Sequence, residues 1–429
     1  MSGATASAAQ APALDPHWRL RYVTLAPHRL GFALATVLLL AASLWWALVQ
    51  IDRSTGALGL PNGTPPFLTH AALMSFGFMP LFFSGFLFTA GPKWLNVEPL
   101  TVRQIQTPLI LQGVGWLIWL LGGLASQALG LVGLALAWVG LVWMSLLYAG
   151  LVRASTAPNQ MHGKMARAAF AVGCVSVGAV GISTALGRYD LARAWVLTGL
   201  WGFIGVVFMT VAHRMIPFFT HGKIPGVEAW RPGWVMALLA VAVGAQAVFV
   251  WLSMVPWAPE AAAAGLWARG AFEGVIGLLL IWLVVRWGLI PALRIPLLGM
   301  LHIGFLWLGL ANLIAGATDW WSAVAQAPVW HLGALHAFTM GCLGSLILAM
   351  VSRVAAGHSG RPLEAGALVW GLFLLLQATA VVRVVAALPI AASSSLLAVA
   401  GVLWLFVVAV WGLRLLGWWG RVRIDGHPG

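Results

Sequence analysis

The 429-residue chain has few charged residues: Asp, Glu, Lys and Arg together make up 8% of it, while 61% of the chain is hydrophobic. Soluble domains carry about a quarter charged residues, so this composition cannot provide a water-soluble surface. A mean hydropathy of +0.95 and 50 glycines agree, because glycine is more frequent in transmembrane helices than in soluble ones. The composition therefore predicts an integral membrane protein.

Cysteine and acidic residues are also scarce. The two cysteines, Cys174 and Cys342, lie within apolar runs, which argues against a disulfide framework and against a thiolate metal site. Lys and Arg number 23 against 10 Asp and Glu, and they stand mainly in short loops, where basic residues orient a membrane protein rather than bind nucleic acid. The first 16 residues lack the basic and apolar regions of a signal peptide, so we expect a disordered tail there.

Long hydrophobic runs are abundant. They extend over about 20 residues or more, as transmembrane helices do, whereas barrel strands would alternate over about ten residues. The sequence predicts an all-α polytopic membrane protein with its transmembrane domain over 30–416, between cytoplasmic tails at 1–29 and 417–429. The twelve predicted spans are 30–51, 67–91, 105–126, 128–152, 165–186, 192–217, 233–257, 267–288, 296–317, 330–352, 366–387 and 390–416.

The basic residues are distributed unevenly between the two sides of this topology. Eighteen lie on the side that holds both termini, and four, Arg53, Arg188, Arg193 and Arg269, lie on the other side. Basic residues concentrate in cytoplasmic loops, so this bias predicts that both termini are cytoplasmic. It also supports an even number of spans, because a missed helix would have mixed the two groups.

Two charged residues fall within predicted spans, Glu273 in the eighth and Arg383 in the eleventh. Each would cost about 2.5–3.5 kcal/mol at the centre of a membrane, so each needs a partner or water. One hypothesis is that they neutralise each other as a structural pair. The other is that Glu273 handles protons while Arg383 is the counter-ion of a bound anion such as a haem propionate.

Eleven histidines are present, and several lie inside the apolar spans. The topology places His70, His331 and His336 in an outer layer, and His213 and His302 in an inner layer. A single such histidine is more often a hydrogen-bonded packing residue than a ligand, but helical bundles also hold haem between facing helices with neutral imidazole on the iron. The five-residue spacing of His331 and His336 separates them by ~140° around a helix, so both cannot face the bundle interior.

Four segments resemble one known family. The sequences THAALMSFGFMPLFFSGFLFTAGPKW (69–94), RMIPFFT (214–220), LHIGFLWLGLANLIAG (301–316) and LHAFTMGCLGSLILAMVSRVAAGHSGRPL (335–363) are similar to the NnrS family. That family consists of bacterial twelve-helix membrane proteins that carry haem and copper and are linked to nitric oxide and nitrosative stress. The resemblance therefore implies a multi-pass protein of the bacterial inner membrane.

The same resemblance implies site residues. It favours three histidines as haem or metal ligands: His70, His302 and His336. It also marks four family positions on the cytoplasmic side: Arg214, Arg353, His358 and Arg361. The chain departs from the family at Ala72 and Leu73, where members usually have histidine and glutamate, and His213 and His331 look like additions.

The leading hypothesis from the sequence is a haem-binding protein of nitric oxide metabolism or nitrosative-stress tolerance, with a b-type haem on His70 and His336 near the periplasmic face and copper as a further cofactor. The layering also resembles the twelve-helix catalytic subunit of haem-copper oxidases, although the full ligand motifs of that subunit are absent, and fold does not imply function. Three alternatives stay open: a haem-dependent oxidoreductase acting on nitric oxide, a quinol-linked oxidoreductase, and a proton-coupled secondary transporter that uses Glu273 and Arg383.

Overall fold

A computed structural model describes residues 17–425 of the chain. Within this range, twelve helices are long and apolar enough to cross a membrane. The predicted all-α architecture and the predicted number of spans are therefore confirmed. The helices are α1 (Pro27–Thr55), α2 (Pro66–Leu95), α3 (Val102–Leu124), α4 (Gln127–Arg153), α5 (Met161–Ala185), α6 (Tyr189–His221), α7 (Gly233–Leu252), α8 (Pro259–Arg286), α9 (Pro296–Ala325), α10 (Leu332–His358), α11 (Ala367–Val385) and α12 (Ser393–Trp419).

Local sequence signals explain where several helices begin. Helices α1, α2, α8 and α9 start with proline, which has the φ angle of a helix and no N–H that would need a partner in the first turn. Thr101 and Gln104 form a capping box before α3. The turn between α3 and α4 is very short, and Ser126 closes it by accepting a hydrogen bond of 3.3 Å from the amide of Leu129.

Both ends of the described chain lie at the same end of the bundle, which we call the terminal end. The Arg19 amide donates to the Gly420 carbonyl at 2.7 Å. The buried Arg29 guanidinium donates to the carbonyls of Tyr22, Trp419 and Arg421, so the start of α1 is tied to the end of α12. Tyr22, Val23 and Arg29 of the predicted N-terminal tail are buried, whereas residues 17–21 are exposed. Arg29 satisfies carbonyls at the C-terminus of α12. Residues 1–16 and 426–429 of the predicted tails lie outside the described range.

Helices α8 and α9 are about eight residues longer at the opposite end of the bundle than the hydropathy windows predicted. Asp319 lies in the added part of α9, and Arg269 follows the added part of α8. These two side chains form an ion pair. The two helices also approach closely, because a Cβ atom at Gly316 would lie only 2.7 Å from the carbonyl oxygen of Gly270. Small residues at such a crossing let the two backbones pack against each other within a membrane.

Three of the spans contain a π-helical segment: Leu73–Gly77 in α2, Leu200–Gly205 in α6 and Ala337–Gly344 in α10. Such segments are rare and occur frequently at functional sites, because the wider turn redirects side chains. Met74 and Thr339, which belong to two of these segments, line the same cavity. The irregular parts of the bundle thus converge on one place.

Candidate cofactor-binding cavity

A cavity of about 410 Å³ lies at the opposite end of the bundle, where it is bordered by α1, α2, α6, α10, α11 and α12. Its volume is within the range of ~300–1,000 Å³ that is typical of small-molecule and cofactor sites. His70 from α2 and His336 from α10 both line it, as does Arg383 from α11. Three of the residues singled out by the sequence are therefore brought together.

His336 is held in one tautomer. Its Nδ1 lies 2.8 Å from the carbonyl oxygen of Leu332, one turn earlier in the chain. A carbonyl can only accept a hydrogen bond, so Nδ1 carries the proton and Nε2 keeps its lone pair. Metal-ligating histidines use the same arrangement, in which the second nitrogen donates to a carbonyl and fixes the ring.

His70 is positioned by aromatic stacking. Its ring stacks on Trp46 of α1 with centroids 3.7 Å apart and planes inclined by 14°. The Arg53 guanidinium lies 5.3 Å from the same indole ring. The Nδ1 atom of His70 is buried and has no hydrogen-bond partner among the described residues. A buried polar atom without a partner lowers stability by about 1–3 kcal/mol, and a ligand bound to this nitrogen would remove that penalty.

The cavity is strongly basic. Arg53, Arg193 and Arg383 line it, and no Asp or Glu is among the described residues that do so. The Nη1 atom of Arg383 is buried and has no hydrogen-bond partner in the part of the chain that the structure describes. Arg383 lies within a span, where an uncompensated charge is expensive, whereas Arg53 and Arg193 are exposed. The three guanidinium groups together favour a ligand that carries negative groups.

The predicted structural pair of Glu273 and Arg383 is wrong, because the two residues belong to different clusters. Glu273 is completely buried and lies 3.6 Å from Arg269, measured from Oε1 to Nε. Its Oε1 accepts a hydrogen bond of 2.8 Å from Gln246, and Arg269 also donates two hydrogen bonds to Asp319. Helical rotation, which hydropathy does not report, turns Glu273 towards α7 and α9 and away from α11.

His302 lies at the terminal end, away from the cavity, and both of its ring nitrogens have partners. Its Nδ1 lies 3.0 Å from the Leu298 carbonyl oxygen. Its Nε2 lies 3.3 Å from the Trp287 carbonyl oxygen and 3.3 Å from the Thr220 hydroxyl. A ligand role for His302 would require these hydrogen bonds to be replaced.

His213 belongs to a histidine pair that the sequence analysis missed. His162 of α5 lies with its Nε2 3.0 Å from Nδ1 of His213, and the other nitrogen of His213 faces the Pro232 carbonyl at 3.2 Å. The carbonyl fixes the proton of His213 on Nε2, so its Nδ1 accepts from His162. No spacing in the sequence connects these residues, because they come from different helices.

A second pair joins His28 of α1 to His358, with ring centroids 4.0 Å apart. His28 is only 2% exposed, and neither of its ring nitrogens has a hydrogen-bond partner in the described part of the chain. His28 was not among the site residues predicted from the sequence. The side chain of His331 lies outside what the structure describes, so its predicted role stays a prediction.

The predicted family arginines also lie at the terminal end, and each stacks over an aromatic ring. Such cation–π contacts stabilise a guanidinium without a carboxylate. The Cζ atom lies 4.8 Å from the Trp94 centroid for Arg214, 3.9 Å from the Phe219 centroid for Arg353 and 4.3 Å from the Trp418 centroid for Arg361.

Copper was a further cofactor expected from the sequence. Among the side chains that the structure describes, which do not include that of His331, no three His, Cys, Asp or Glu converge in the way that a site made of protein ligands requires. Cys174 and Cys342 are both free thiols. Of the described side chains, His70 and His336 are therefore the cavity histidines that come together, without a third ligand.

Comparison with known proteins shows the family of this chain. The family model described as NnrS protein matches residues 22–423, which is nearly the whole chain, whereas none of the curated proteins matches it. This match includes both histidines of the cavity and all twelve spans. The chain therefore belongs to the NnrS family, and it is a nitric-oxide-related, multi-pass membrane protein.

Proposed function

We propose that this protein binds haem in the cavity lined by His70 and His336, and that it acts in nitric oxide metabolism or in tolerance of nitrosative stress. The observation that carries the proposal is the combination of two histidines with available ring nitrogens and three arginines at one cavity of about 410 Å³. A haem needs an imidazole for its iron and cationic groups for its two carboxylates, and the cavity offers both.

Each residue has a defined part in this proposal. His336 would offer Nε2 to the iron, because its Nδ1 proton is already bound to the Leu332 carbonyl. That hydrogen bond also makes the imidazole a better electron donor. Arg383 and Arg53 would bind the haem carboxylates. The small residues Ala400 and Gly401 on the cavity side of α12 leave room for a flat ring.

His70 decides what the site does. If both histidines are ligands, the site suits electron transfer, and if His70 keeps its stacking on Trp46, one position stays open for nitric oxide. When bound, haem supplies an iron that takes up one electron and binds small diatomic molecules. The excess of basic residues on the terminal side supports cytoplasmic termini in a bacterial inner membrane, which would place this cavity towards the periplasm.

Absorption spectroscopy on the detergent-purified protein tests the proposal. We expect a Soret band, a reduced α-band and one haem per chain in the pyridine haemochrome assay, with the Soret band lost in His336→Ala. His221→Ala is the matched control, since His221 is exposed at the terminal end and its Nδ1 already faces the Val227 carbonyl at 2.9 Å. Full-strength Soret bands in both His70→Ala and His336→Ala would overturn the assignment.

Copper and the transporter hypothesis have weaker support. A copper site usually needs more converging ligands than His70 and His336 provide, and no larger cluster is present among the described side chains, to which that of His331 does not belong. The transporter hypothesis joined Glu273 to Arg383, and these residues do not meet. Metal analysis of the same purified sample distinguishes a haem-only protein from one that also carries copper.

A further inference from the structure

A second and larger cavity lies beside the first at the opposite end of the bundle. It measures about 920 Å³ and is bordered by α6, α7, α8, α9 and the start of α10. Its lining is mainly apolar but includes the polar side chains of Gln246, Asn312 and Asp319. Asn312 is buried, and its Oδ1 atom has no hydrogen-bond partner among the described residues. An acceptor without a partner at a cavity of this size favours water inside it.

Two carboxyl groups share one guanidinium at the inner wall of this cavity. Asp319 accepts two hydrogen bonds from Arg269, through Nε and one terminal nitrogen, so it takes the geometry of an ionised partner. Glu273 lies behind them with Oε1 bound to Gln246, while its buried Oε2 receives no hydrogen bond from any described residue. The close crossing at Gly270 and Gly316 brings α8 and α9 near enough for this arrangement.

The charges of the cluster do not balance unless a proton is present. With both carboxylates ionised, one guanidinium would face two negative groups, one of them fully buried. The carboxyl groups of Glu273 and Asp319 both contact the Nε atom of Arg269, so they lie near each other, and two ionised carboxylates in such a position repel. A proton on Glu273 removes the excess charge and gives Oε2 a hydrogen to donate.

We propose that Glu273 and Asp319 form a proton-binding site that exchanges one proton with the water of the larger cavity. Asp319 lines the cavity, so a proton from its water reaches Glu273 through Asp319. The step is a proton transfer between oxygens: an O–H bond of a hydronium breaks, an O–H bond of the carboxyl group forms, and no electron moves. Asp319 carries the proton only in transit, because its two hydrogen bonds from Arg269 favour its ionised form before and after the transfer.

The other charged groups around the cluster do not replace this role. Helix α7 contributes the neutral Gln246, and α6 contributes Asp190 and Arg193 at the cavity rim. Asp190 is exposed and already paired with Arg188 at 2.9 Å. Glu273 is therefore the carboxyl group whose charge is least compensated by its surroundings.

The proton site lies beside the proposed haem cavity. Arg193, Leu197, Leu332 and Leu335 line both cavities, so one layer of side chains separates them. An electron that enters a buried centre attracts a compensating proton, and the cluster would supply it. This last step depends on the proposed haem function, whereas proton binding by the carboxyl pair does not.

Infrared difference spectroscopy of the purified full-length protein tests the proton site directly. We compare mildly acidic with mildly alkaline buffer and expect a carbonyl band of a buried, protonated carboxylic acid that shifts in heavy water. The band should disappear in Glu273→Gln and remain in Glu260→Gln, an exposed glutamate in the first turn of the same helix. Asp319→Asn, which leaves Glu273 in place, should move the pH at which the band titrates.

The outcomes separate this proposal from the haem assignment. Absence of such a band in the unmodified protein, or a band that survives in Glu273→Gln, would refute the proton site even if Glu273→Gln proves hard to fold. If haem is bound, Glu273→Gln should keep the Soret band and lose the dependence of the reduction potential on pH. A Soret band in the unmodified protein without the carboxylic acid band would leave the haem proposal standing and remove this one.

Discussion

Replacing Arg269, which contacts the carboxyl groups of Asp319 and Glu273, should destabilise the protein strongly. In Arg269→Met, a flexible apolar side chain replaces the guanidinium that Asp319 and Glu273 share. Loss of one partner of a buried ion pair costs about 3–5 kcal/mol, because the other partner is left charged and unpaired. The Asp319 side chain is 3% exposed and that of Arg269 is 27% exposed, so we expect a value near the lower end, about 3 kcal/mol.

An unfolding titration with a denaturing detergent, followed by tryptophan fluorescence, measures this loss as a shift of the midpoint. Arg188→Met is the matched control, because Arg188 pairs with Asp190 at 2.9 Å at the same end of the bundle while both side chains are more than half exposed. Exposed pairs are screened by water, so the control should leave the midpoint unchanged.

A double variant shows whether charge rather than packing causes the loss. Arg269→Met combined with Asp319→Leu removes the charged groups of the pair together, and such apolar replacements are often neutral. We expect the double variant to recover most of the stability lost in Arg269→Met. A loss in Arg269→Met no larger than in Arg188→Met, or no recovery in the double variant, would refute the assignment of this cluster as a buried charge network.

Three further predictions concern other parts of the molecule. Arg383→Gln should lower the haem content of the purified protein without unfolding it, because an unpaired cation at the cavity is removed; unchanged haem per chain would contradict this. Gly316→Leu should destabilise by about 1–3 kcal/mol or more in the same detergent titration, since even a Cβ there would lie 2.7 Å from the Gly270 carbonyl oxygen. Ser126→Ala should cost about 1 kcal/mol, the usual value of an N-cap, because the Leu129 amide loses its acceptor; an unchanged midpoint would show that water replaces it.

The sequence predicted the parts of the structure that depend on local composition. Twelve apolar runs gave twelve spans, and the match is close because hydropathy along one helix is independent of its neighbours. The placement of His70 and His336 near the same end follows from alternating helix direction alone. Their convergence on one cavity also needed the rotation of α2 and α10, which the sequence did not specify.

The pairing of Glu273 shows where such reasoning stops. Two opposite charges in separate spans made Arg383 a reasonable partner, but Glu273 faces Arg269 of its own helix and Asp319 of α9. Asp319 lay just beyond the predicted end of the ninth span, so it was not considered as a membrane residue. Its pairing with Arg269 lets the helices continue past the predicted boundaries.

The sequence by itself determined that this is a membrane protein, its all-α class, the number of its spans and its family. Only the tertiary structure decided which polar groups meet: His162 with His213, His28 with His358, and the three arginines at the cavity that His70 and His336 line. The physical reason is that hydrophobic transfer acts on each segment separately, whereas contacts between side chains depend on the rotation, the π-helical turns and the close crossings of helices far apart in the chain.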